Sequence, residues 1–445
     1  MKTLIPKKAP QLLLQTIDDI SFGYAVNCAS PHSFKVLNTA QLRIIKAIND
    51  LDDVAGLAEK LSMKPEALEA FLSIMAKSEI IRFDDLFSQP IKPSSPKSLN
   101  FWIHTTDACN LGCSYCYIST LNTSKGMSDT VKQQLLSKLV ETVSKRKLRT
   151  VKFRLAGGEP LSQFKTWKAF IPEAVNRLQQ VGCKLDVAFI TNLTILNDDI
   201  LEFSKEYNIT YGVSMDGVED VHDRTRKFRS GSGSFSIVDT NLRKLLTHNI
   251  PVSVNTVVSN QNLDGLPDLT KYLVALDVPF RYSIVKGEAI NGELLENNLL
   301  ESYSIMQKAI ETGWQFSKRH QFCDLKPNEL GFQTCASGFS GGAIYVDGSF
   351  KYCHVQFGDN SASTRSIFNP DLDLVDMIKQ SGNHQEIKND DCKKCRFRFV
   401  CTSGCPVYRE NGKDPQCSIY HKFIPLYYEL QARERLKSLR DCGMI

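Results

Sequence analysis

The sequence predicts an α/β protein built on a parallel β-sheet. Between residues 99 and 318, six apolar strand patterns alternate with helical patterns, as in consecutive βα units. The candidate strands are SLNFWIHTT, TVKFRLAGG, KLDVAFITN, ITYGVSMDG, IPVSVNTVVS and VPFRYSIVKG. Such a sheet is either open or curled into a partial (β/α)6 barrel of the TIM type, and its chemistry lies beyond the carboxyl ends of the strands. Conspicuous Cys, Gly and Asp motifs follow the strands here, which predicts a functional site at that edge.

Residues 1–87 predict a separate winged-helix-like domain. Short β-type runs such as SFGYAVNCASPHSFKVLN precede three helical patterns. The charges of these helices nearly cancel, whereas a helix that reads DNA is usually clearly basic. The composition therefore favours peptide or protein binding over nucleic acid, with purely structural packing as an alternative. Residues 88–98, SQPIKPSSPKS, have the prolines and serines of a linker and no apolar periodicity.

Composition narrows the class of protein further. The chain has 445 residues, 42% hydrophobic and 23% charged, with a net charge of +5, which does not by itself predict nucleic-acid binding. No signal peptide and no apolar stretch of membrane-spanning length is visible, so we expect a cytoplasmic protein without a membrane partner. The 14 cysteines are unevenly clustered. In a reducing compartment, clustered cysteines bind metal more often than they form disulfides.

The first cluster is Cys109, Cys113 and Cys116 in DACNLGCSYCY, which follows the first strand. Three thiolates are too many for one disulfide and too few for a closed tetrahedral zinc site. A cubane [4Fe–4S] cluster normally takes four, so three would leave one iron open to a small chelating ligand. A partial zinc site stays as the alternative.

The spacing C-x3-C-x2-C, with AGGEP (156–160), ITNLT and VSMDG after the next strands, resembles the radical S-adenosylmethionine (SAM) superfamily. The resemblance implies that the glycines and carboxylate of AGGEP receive the SAM ammonium group. It also implies that the forked guanidinium of Arg226 suits the SAM carboxylate. The implied SAM contacts are Tyr115, Gly157, Gly158, Glu159, Pro160, Thr191, Asn192, Ser214, Asp216, Arg226 and Asn255.

Residues 319–445 carry a second cysteine pattern, which is similar to the seven-cysteine signature of SPASM domains. The resemblance implies two auxiliary [4Fe–4S] clusters, one of them held by Cys392, Cys395, Cys401 and Cys417. The other would be held by Cys335, Cys353 and Cys405, with Cys323 slightly favoured as its fourth ligand over an open site. A structural zinc module is the alternative.

The resemblance also divides the possible functions. Sulfatase maturases usually carry an Asp after the cysteine equivalent to Cys353, but here that residue is His354, a weak candidate base whose alternative role is structural. Residues 1–87 resemble the PqqD-like precursor-recognition domain of peptide maturases. We therefore expect a maturase that binds the leader of a ribosomal precursor peptide and cross-links its core through a carbon–carbon, thioether or ether bond. Flavodoxin or ferredoxin is the expected electron donor.

Two alternatives are kept. One is a protein-modifying dehydrogenase of the anaerobic sulfatase-maturase type. The other is a DNA-binding redox sensor with a winged helix and iron–sulfur clusters, which would need neither the SAM motifs nor a radical site.

Overall fold

The structure, a computed structural model, describes residues 4–30, 32–83, 90–120, 124–382 and 384–445, without the side chains of residues 119 and 120. The chain divides into two compact units. The first contains residues 1–92, 303–334 and 386–445, and the second contains residues 93–302 and 335–385. Residues 84–89, where the predicted N-terminal domain meets the predicted linker, lie outside the described residues.

The first unit opens with a small α+β module. Leu37, Ile45 and Leu72 are among the core residues that its helices and sheet bury together. Its antiparallel sheet has the order β2-β3-β4, and β1 pairs with β5. The bounds are β1 (Lys7–Lys8), β2 (Leu12–Thr16), β3 (Phe22–Asn27), β4 (Lys35–Asn38), α1 (Thr39–Ala47), α2 (Val54–Leu61), α3 (Pro65–Lys77) and β5 (Ile81–Arg82).

The second unit is built on a mostly parallel sheet, and all six predicted strands are present in the predicted order. The prediction of an α/β fold is confirmed. The strands and helices from residue 98 to residue 311 are β6 (Ser98–His104), α4 (Asp129–Arg146), β7 (Thr150–Ala156), α5 (Phe164–Gln180), β8 (Lys184–Thr191), α6 (Asp198–Glu206), β9 (Thr210–Ser214), α7 (Asp220–Thr225), α8 (Phe235–Thr247), β10 (Val252–Val258), α9 (Leu266–Ala275), β11 (Phe280–Ile284) and α10 (Gly292–Glu311). Residues 303–311 of α10 belong to the first unit.

The C-terminal third has more regular structure than its sequence pattern indicates. The remaining elements are α11 (Phe316–Arg319), β12 (His320–Phe322), β13 (Gly341–Ile344), β14 (Ser349–Lys351), β15 (Arg365–Ser366), α12 (Leu374–Gln380), α13 (Asp390–Lys394), α14 (Arg398–Cys401) and α15 (Cys417–Asp441).

Strand β13 extends the parallel sheet of the second unit beside β6, and β14 and β15 continue it antiparallel. Three residues of its sequence, Gly-Gly-Ala-Ile, are small and only Ile344 is β-branched, so the pattern does not predict a strand. The glycine serves close approach instead, because a Cβ on Gly341 would lie 1.8 Å from the carbonyl oxygen of Asn100. Strand propensities do not predict β13, because its glycine is required for the close approach of two backbones.

The C-terminal helix α15 packs against the N-terminal sheet within the first unit. Tyr24 donates a hydrogen bond to the carbonyl of Pro425 at 2.7 Å. Arg433 forms a two-pronged ion pair with Asp19, at 2.6 and 3.0 Å. Helix α15 begins at Cys417, one of the predicted cluster ligands.

Register fixes which side chains share a face of the large sheet. In parallel strands, residues paired at Cα point to the same side, and so do residues i and i+2 of one strand. Trp102 pairs with Arg154, and Ser214 pairs with Asn255. The pairs in between connect these strands, so that Trp102, Arg154, Ser214 and Asn255 lie on one face.

Among the described residues, no helix combines the length and the apolar composition that a membrane crossing requires.

Candidate active site

The cysteine loop begins at the carboxyl end of β6, as predicted. All fourteen cysteines are free of disulfides, and Cys109, Cys113 and Cys116 are each half-buried. Burial, followed by the charges of Glu159 and of the other two thiolates, raises the pKa of Cys109 to about 11. The three sulfurs therefore lie within electrostatic reach of one another, and the structure brings the predicted triad together.

Polar donors face two of these sulfurs. Asn192 Nδ2 lies 3.7 Å from Cys109 Sγ, and Arg226 Nη1 lies 3.8 Å from Cys113 Sγ. N–H donors stabilise the negative charge of thiolates and of iron–sulfur clusters. The donor set therefore fits a [4Fe–4S] cluster, which Cys109, Cys113 and Cys116 would hold.

Among the described residues, no three His, Cys, Asp or Glu side chains lie close enough to hold a single metal ion. A cubane cluster differs in geometry, because each thiolate binds its own iron and the cysteines stand farther apart.

The AGGEP segment supports the cysteine loop through its backbone. The N–H of Gly158 donates to Thr106 O at 2.6 Å, and the N–H of Glu159 donates to Ala108 O at 2.9 Å. A Cβ on Gly158 would lie 2.0 Å from Ala108 O, and Gly157 has a φ of +134°. Only glycine permits the close contact at position 158 and readily adopts the backbone conformation at position 157. The two glycines therefore position the loop, in addition to their predicted contact with SAM.

Glu159 is fully buried, and its carboxylate is held by the end of β8. Thr191 Oγ1 donates to it at 2.6 Å, the N–H of Asn192 at 2.8 Å and the N–H of Leu161 at 2.9 Å. Burial raises the pKa of Glu159 to about 7, while these hydrogen bonds oppose the rise. Segments that follow two successive strands, β7 and β8, thus meet at one carboxylate. Pro160 is buried beside it at the start of a short turn.

Asp216 is the centre of a second buried network. Its Oδ2 accepts hydrogen bonds from Tyr115 Oη at 2.5 Å, Arg226 Nε at 2.8 Å and Thr225 Oγ1 at 3.1 Å. Its Oδ1 accepts from the N–H of Val257 at 3.0 Å. Asp216 therefore fixes the guanidinium that faces Cys113 and the aromatic ring between the last two cysteines. The predicted contact of Asp216 with SAM stays a prediction.

Ser214 ends β9 and Asn255 lies in the middle of β10; both are half-buried, and their Cα atoms are paired. Apart from Asn255, the predicted SAM contacts lie at the carboxyl ends of the strands or in the segments that follow them.

His222 connects the backbone of Asp216 to Ser234 through its two ring nitrogens. Its Nδ1 accepts from the N–H of Asp216 at 3.3 Å, and its Nε2 lies 3.0 Å from Ser234 Oγ. Ser234 in turn donates to the carbonyl of Arg226 at 2.6 Å. This chain of bonds assigns His222 the neutral form protonated on Nε2. Burial, and then the charge of Arg226, lowers its pKa to about 4 from 6.5.

This shift predicts a pH dependence of stability. Between pH 6.5 and 4 the unfolded chain takes up a proton at His222 that the folded chain does not, so stability falls as pH falls. The loss from pH 7 to pH 5 should be about 2 kcal/mol. In H222Q, urea unfolding should show a pH dependence weaker by that amount. An identical dependence in both proteins would contradict the assignment of a neutral, buried His222.

His354 lies on a platform of aromatic rings in the second unit. Its ring stacks on Trp102, with centroids 3.9 Å apart and planes 12° apart, and Tyr117 contacts it at 5.4 Å. Its Nδ1 lies 3.8 Å from Cys353 Sγ. Burial, and then the nearby His104 and Arg154, lowers the pKa of His354 to about 3. A base role for His354 stays a prediction.

Two residues of this site were missed from sequence. Asn110, inside the cysteine loop, donates to Thr194 Oγ1 at 2.7 Å and accepts from Asn192 Nδ2 at 3.0 Å. Trp102 lies beneath His354 in the middle of β6. An asparagine between two cysteines was a usable signal. A tryptophan inside an apolar strand gives no such signal, because its sequence context predicts an ordinary core residue.

The first unit brings one auxiliary set together. Burial raises the pKa of Cys401, Cys417 and Cys395, and each of these pKa values is raised further by at least one thiolate of the same set, which also includes Cys392. His421 Nε2 lies 3.5 Å from Cys395 Sγ. These four cysteines therefore lie within electrostatic reach of one another. That they hold a second [4Fe–4S] cluster stays a prediction.

The other predicted auxiliary ligands fall in both units. Cys323 and Cys405 belong to the first unit and Cys335 and Cys353 to the second. Cys323 is buried, has a φ of 48° and interacts with the Tyr420 hydroxyl. Gln385 Nε2 lies 3.7 Å from Cys335 Sγ. The ligand set of this cluster stays a prediction.

Comparison with known proteins agrees with this geometry. Residues 103–273 match the model of the Radical SAM superfamily. The chain is 31% identical over 373 residues to a serine-type anaerobic sulfatase-maturating enzyme of Bacteroides thetaiotaomicron, a match that covers 71% of this chain and 86% of the relative. It is 27% identical over 346 residues to a cysteine-type anaerobic sulfatase-maturating enzyme of Clostridium novyi, covering 71% and 89%.

Solved structures share the fold. Native anSMEcpe with bound AdoMet and the Kp18Cys peptide aligns with a TM-score of 0.61 at 19% identity, covering 77% of this chain and 99% of that chain. Streptococcus suis SuiB bound to precursor peptide SuiA aligns with a TM-score of 0.50 at 14% identity, covering 90% and 95%. From these matches and the site geometry, the chain belongs to the radical SAM superfamily.

Proposed function

We propose that this chain is a radical SAM maturase that cross-links the core of a ribosomally made peptide. The observation that carries the proposal is the buried hydrogen-bond network around Asp216. Asp216 accepts hydrogen bonds from Arg226, whose guanidinium contacts Cys113 Sγ, and from Tyr115 within the cysteine loop. A redox sensor would have no use for this arrangement. Peptides bound to anSMEcpe and to SuiB support a peptide as the substrate class.

The bound cluster and SAM would supply a 5′-deoxyadenosyl radical that removes a hydrogen atom from a carbon of the substrate. The chain's own residues prepare this step. Cys109, Cys113 and Cys116 bind the cluster, and Gly157 and Gly158 leave room for backbone to approach SAM. Thr191 and Asn192 at the end of β8, Ser214 at the end of β9 and Asn255 within β10 orient the cofactor.

The auxiliary cysteines have a part in the same reaction. Forming a bond after hydrogen abstraction leaves one electron on the substrate. Cys392, Cys395, Cys401 and Cys417 would hold a cluster that could supply the acceptor for this electron, with His421 beside Cys395 at 3.5 Å. Flavodoxin or ferredoxin supplies the electron that starts each cycle.

The leader of the peptide binds the N-terminal module in this proposal. Its sheet ends in two edge strands, β2 and β4, whose outer backbone groups can pair with an added strand. Main-chain bonds give such binding its affinity. Tethering then raises the concentration of the core peptide at the active site.

The test is an anaerobic reaction of the reconstituted enzyme with SAM, dithionite and the short peptide encoded beside the gene. Mass spectrometry should find 5′-deoxyadenosine and a peptide lighter by two hydrogens, with fragmentation blocked between two linked residues. Absence of deoxyadenosine under every reductant would overturn the radical SAM reading. Formation of deoxyadenosine without any change in the peptide would show that this peptide is not the substrate.

A second candidate is a dehydrogenase of the sulfatase-maturase type, which the 31% identity to a serine-type enzyme favours. Dehydrogenation of a serine also removes two hydrogens, so mass alone does not separate the two candidates. A dehydrogenated serine carries a carbonyl group that a hydrazide reagent labels, and its peptide fragments normally. Hydrazide labelling without a cross-link would favour the second candidate.

A further inference from the structure

Strand β7 carries two cations on the face that also carries Ser214 and Asn255, two of the predicted SAM contacts. Lys152 and Arg154 are two residues apart and therefore point to the same side. Arg154 pairs with Trp102 of β6 and, through β8 and β9, shares its face with Ser214 and Asn255. Of the two cations, Arg154 lies nearer the carboxyl end of the strand, where the cysteine loop and the AGGEP segment meet.

The exposure of β7 shows that this face is open. Val151, Phe153 and Leu155, on its other face, are each 0% exposed. Arg154 is exposed, and Lys152 is half-buried, although β7 is flanked by β6 and β8 within the sheet. An exposed side chain in an interior strand requires a solvent-filled space above the sheet. A ligand can enter this space without displacing a packed core.

Lys152 and Arg154 place two positively charged side chains on this face of the sheet. Burial, followed by the charge of Arg154, lowers the pKa of Lys152, and Arg154 also lowers the pKa of His354. Arg154 is thus within electrostatic reach of both. The acidic neighbour across from Lys152 is Asp186, which already pairs with Lys184 at 2.8 Å. Of the residues that pair in register with Lys152 and Arg154 on β6 and β8, Asp186 alone is acidic.

Next to Arg154, Trp102 and His354 form a stacked apolar wall. A guanidinium beside an aromatic wall is suited to a planar carboxylate, because it donates two parallel N–H bonds while the wall excludes water. Lysine at position 152 adds a second positive charge without fixing the geometry.

We propose that Arg154, assisted by Lys152 and flanked by Trp102, binds a carboxylate of the substrate peptide on the open face of the sheet. The peptide that enters the site therefore carries an Asp or Glu side chain, or its own terminal carboxylate, close to the carbon that loses hydrogen. This inference rests on the proposed function, since it names a feature of the substrate of the same site.

Small probes test the site without knowledge of the peptide. Calorimetric titration of the cluster-loaded, SAM-bound enzyme would compare N-acetyl-aspartate and N-acetyl-glutamate N-methylamides with their asparagine and glutamine counterparts, and with N-acetyl-alanine for a terminal carboxylate. At least one acid should bind ten-fold or more tightly than its amide. That difference should vanish in R154Q. Equal binding of acids and amides, or equal binding of the acid to wild type and R154Q, would overturn the proposal.

Arg149→Gln is the matched control, because Arg149 is exposed and lies just before β7 at the opposite end of the strand. It removes the same charge from the chain and should bind the acid probes as wild type does. Iron content and SAM affinity should be unchanged in both variants. A loss of SAM affinity in R154Q, with probe binding intact, would assign Arg154 to the cofactor and overturn the proposal.

The peptide encoded beside the gene separates this inference from the proposed function. If wild type leaves that peptide unchanged but binds the acid probes through Arg154, the carboxylate site stands and the proposed substrate falls. If wild type modifies the peptide, amidating its acidic groups one at a time should weaken binding about ten-fold at one position. R154Q should then lose no further affinity for that amidated peptide. Modification with unaltered affinity for every amidated peptide would overturn the inference.

Discussion

Replacing Asp216 with Asn should strongly reduce cleavage of SAM and destabilise the second unit. Both carboxylate oxygens accept hydrogen bonds, Oδ2 from Tyr115, Thr225 and Arg226 and Oδ1 from the N–H of Val257. Whichever way the amide of Asn turns, its NH2 group meets a donor instead of an acceptor. The buried guanidinium of Arg226 also loses its counter-charge. Breaking such a buried pair costs about 3–5 kcal/mol.

The same misalignment should be visible in the chemistry. If misalignment of Arg226 and Tyr115 removes about 3 kcal/mol of transition-state stabilisation, the rate of 5′-deoxyadenosine formation falls at least about 100-fold. Urea unfolding and deoxyadenosine formation are the two measurements. Asp264→Asn is the matched control, because Asp264 pairs with Arg224 on the surface, where the two side chains are 57% and 45% exposed. That pair should contribute under about 1 kcal/mol. Comparable losses in D216N and D264N would contradict the role of Asp216 as the centre of a buried network.

Adding one methyl group at Gly158 should remove the radical SAM cluster. The new Cβ would lie 2.0 Å from the carbonyl oxygen of Ala108 and 2.9 Å from that of Asp107. Both obstacles are backbone atoms next to Cys109, so no side chain can turn away to make room. The cysteine loop must move instead, and its thiols then lose their common orientation. Iron content and the EPR spectrum of the reduced protein measure this loss.

Gly112→Ala is the control within the same loop. A Cβ at Gly112 would meet only Arg229 Cγ, at 3.9 Å, which is an ordinary van der Waals contact. This variant should keep its cluster. If G158A also keeps its cluster, the AGGEP segment does not position the cysteine loop as described.

The sequence predicted the parts of the site that depend on spacing along the chain. Cys109, Cys113 and Cys116 follow β6 as expected, and AGGEP, ITNLT and VSMDG end the next strands. The α/β alternation carries this information, because each strand and its loop are local. The PqqD-like identity of residues 1–87 and the ligands of the second auxiliary cluster stay predictions.

What sequence could not reveal depends on contacts between distant segments. The position of β13 beside β6 comes from the close approach of Gly341 to Asn100, which no propensity signals. The stack of Trp102 and His354 joins residues of distant segments. Likewise, the four donors of Asp216 come from the cysteine loop, the end of α7 and strand β10, and their hydrogen bonds exist only in the folded chain.

The most direct test of the account is the iron content and SAM chemistry of C109A/C113A/C116A. Three [4Fe–4S] clusters hold about twelve iron atoms per chain, and the variant should hold about eight. Its two auxiliary clusters should still be reduced by dithionite, but SAM should no longer alter the EPR spectrum, and no 5′-deoxyadenosine should form. A variant that forms deoxyadenosine, or that keeps the full iron content of the wild type, would contradict the claim that these three cysteines hold the cluster that binds SAM.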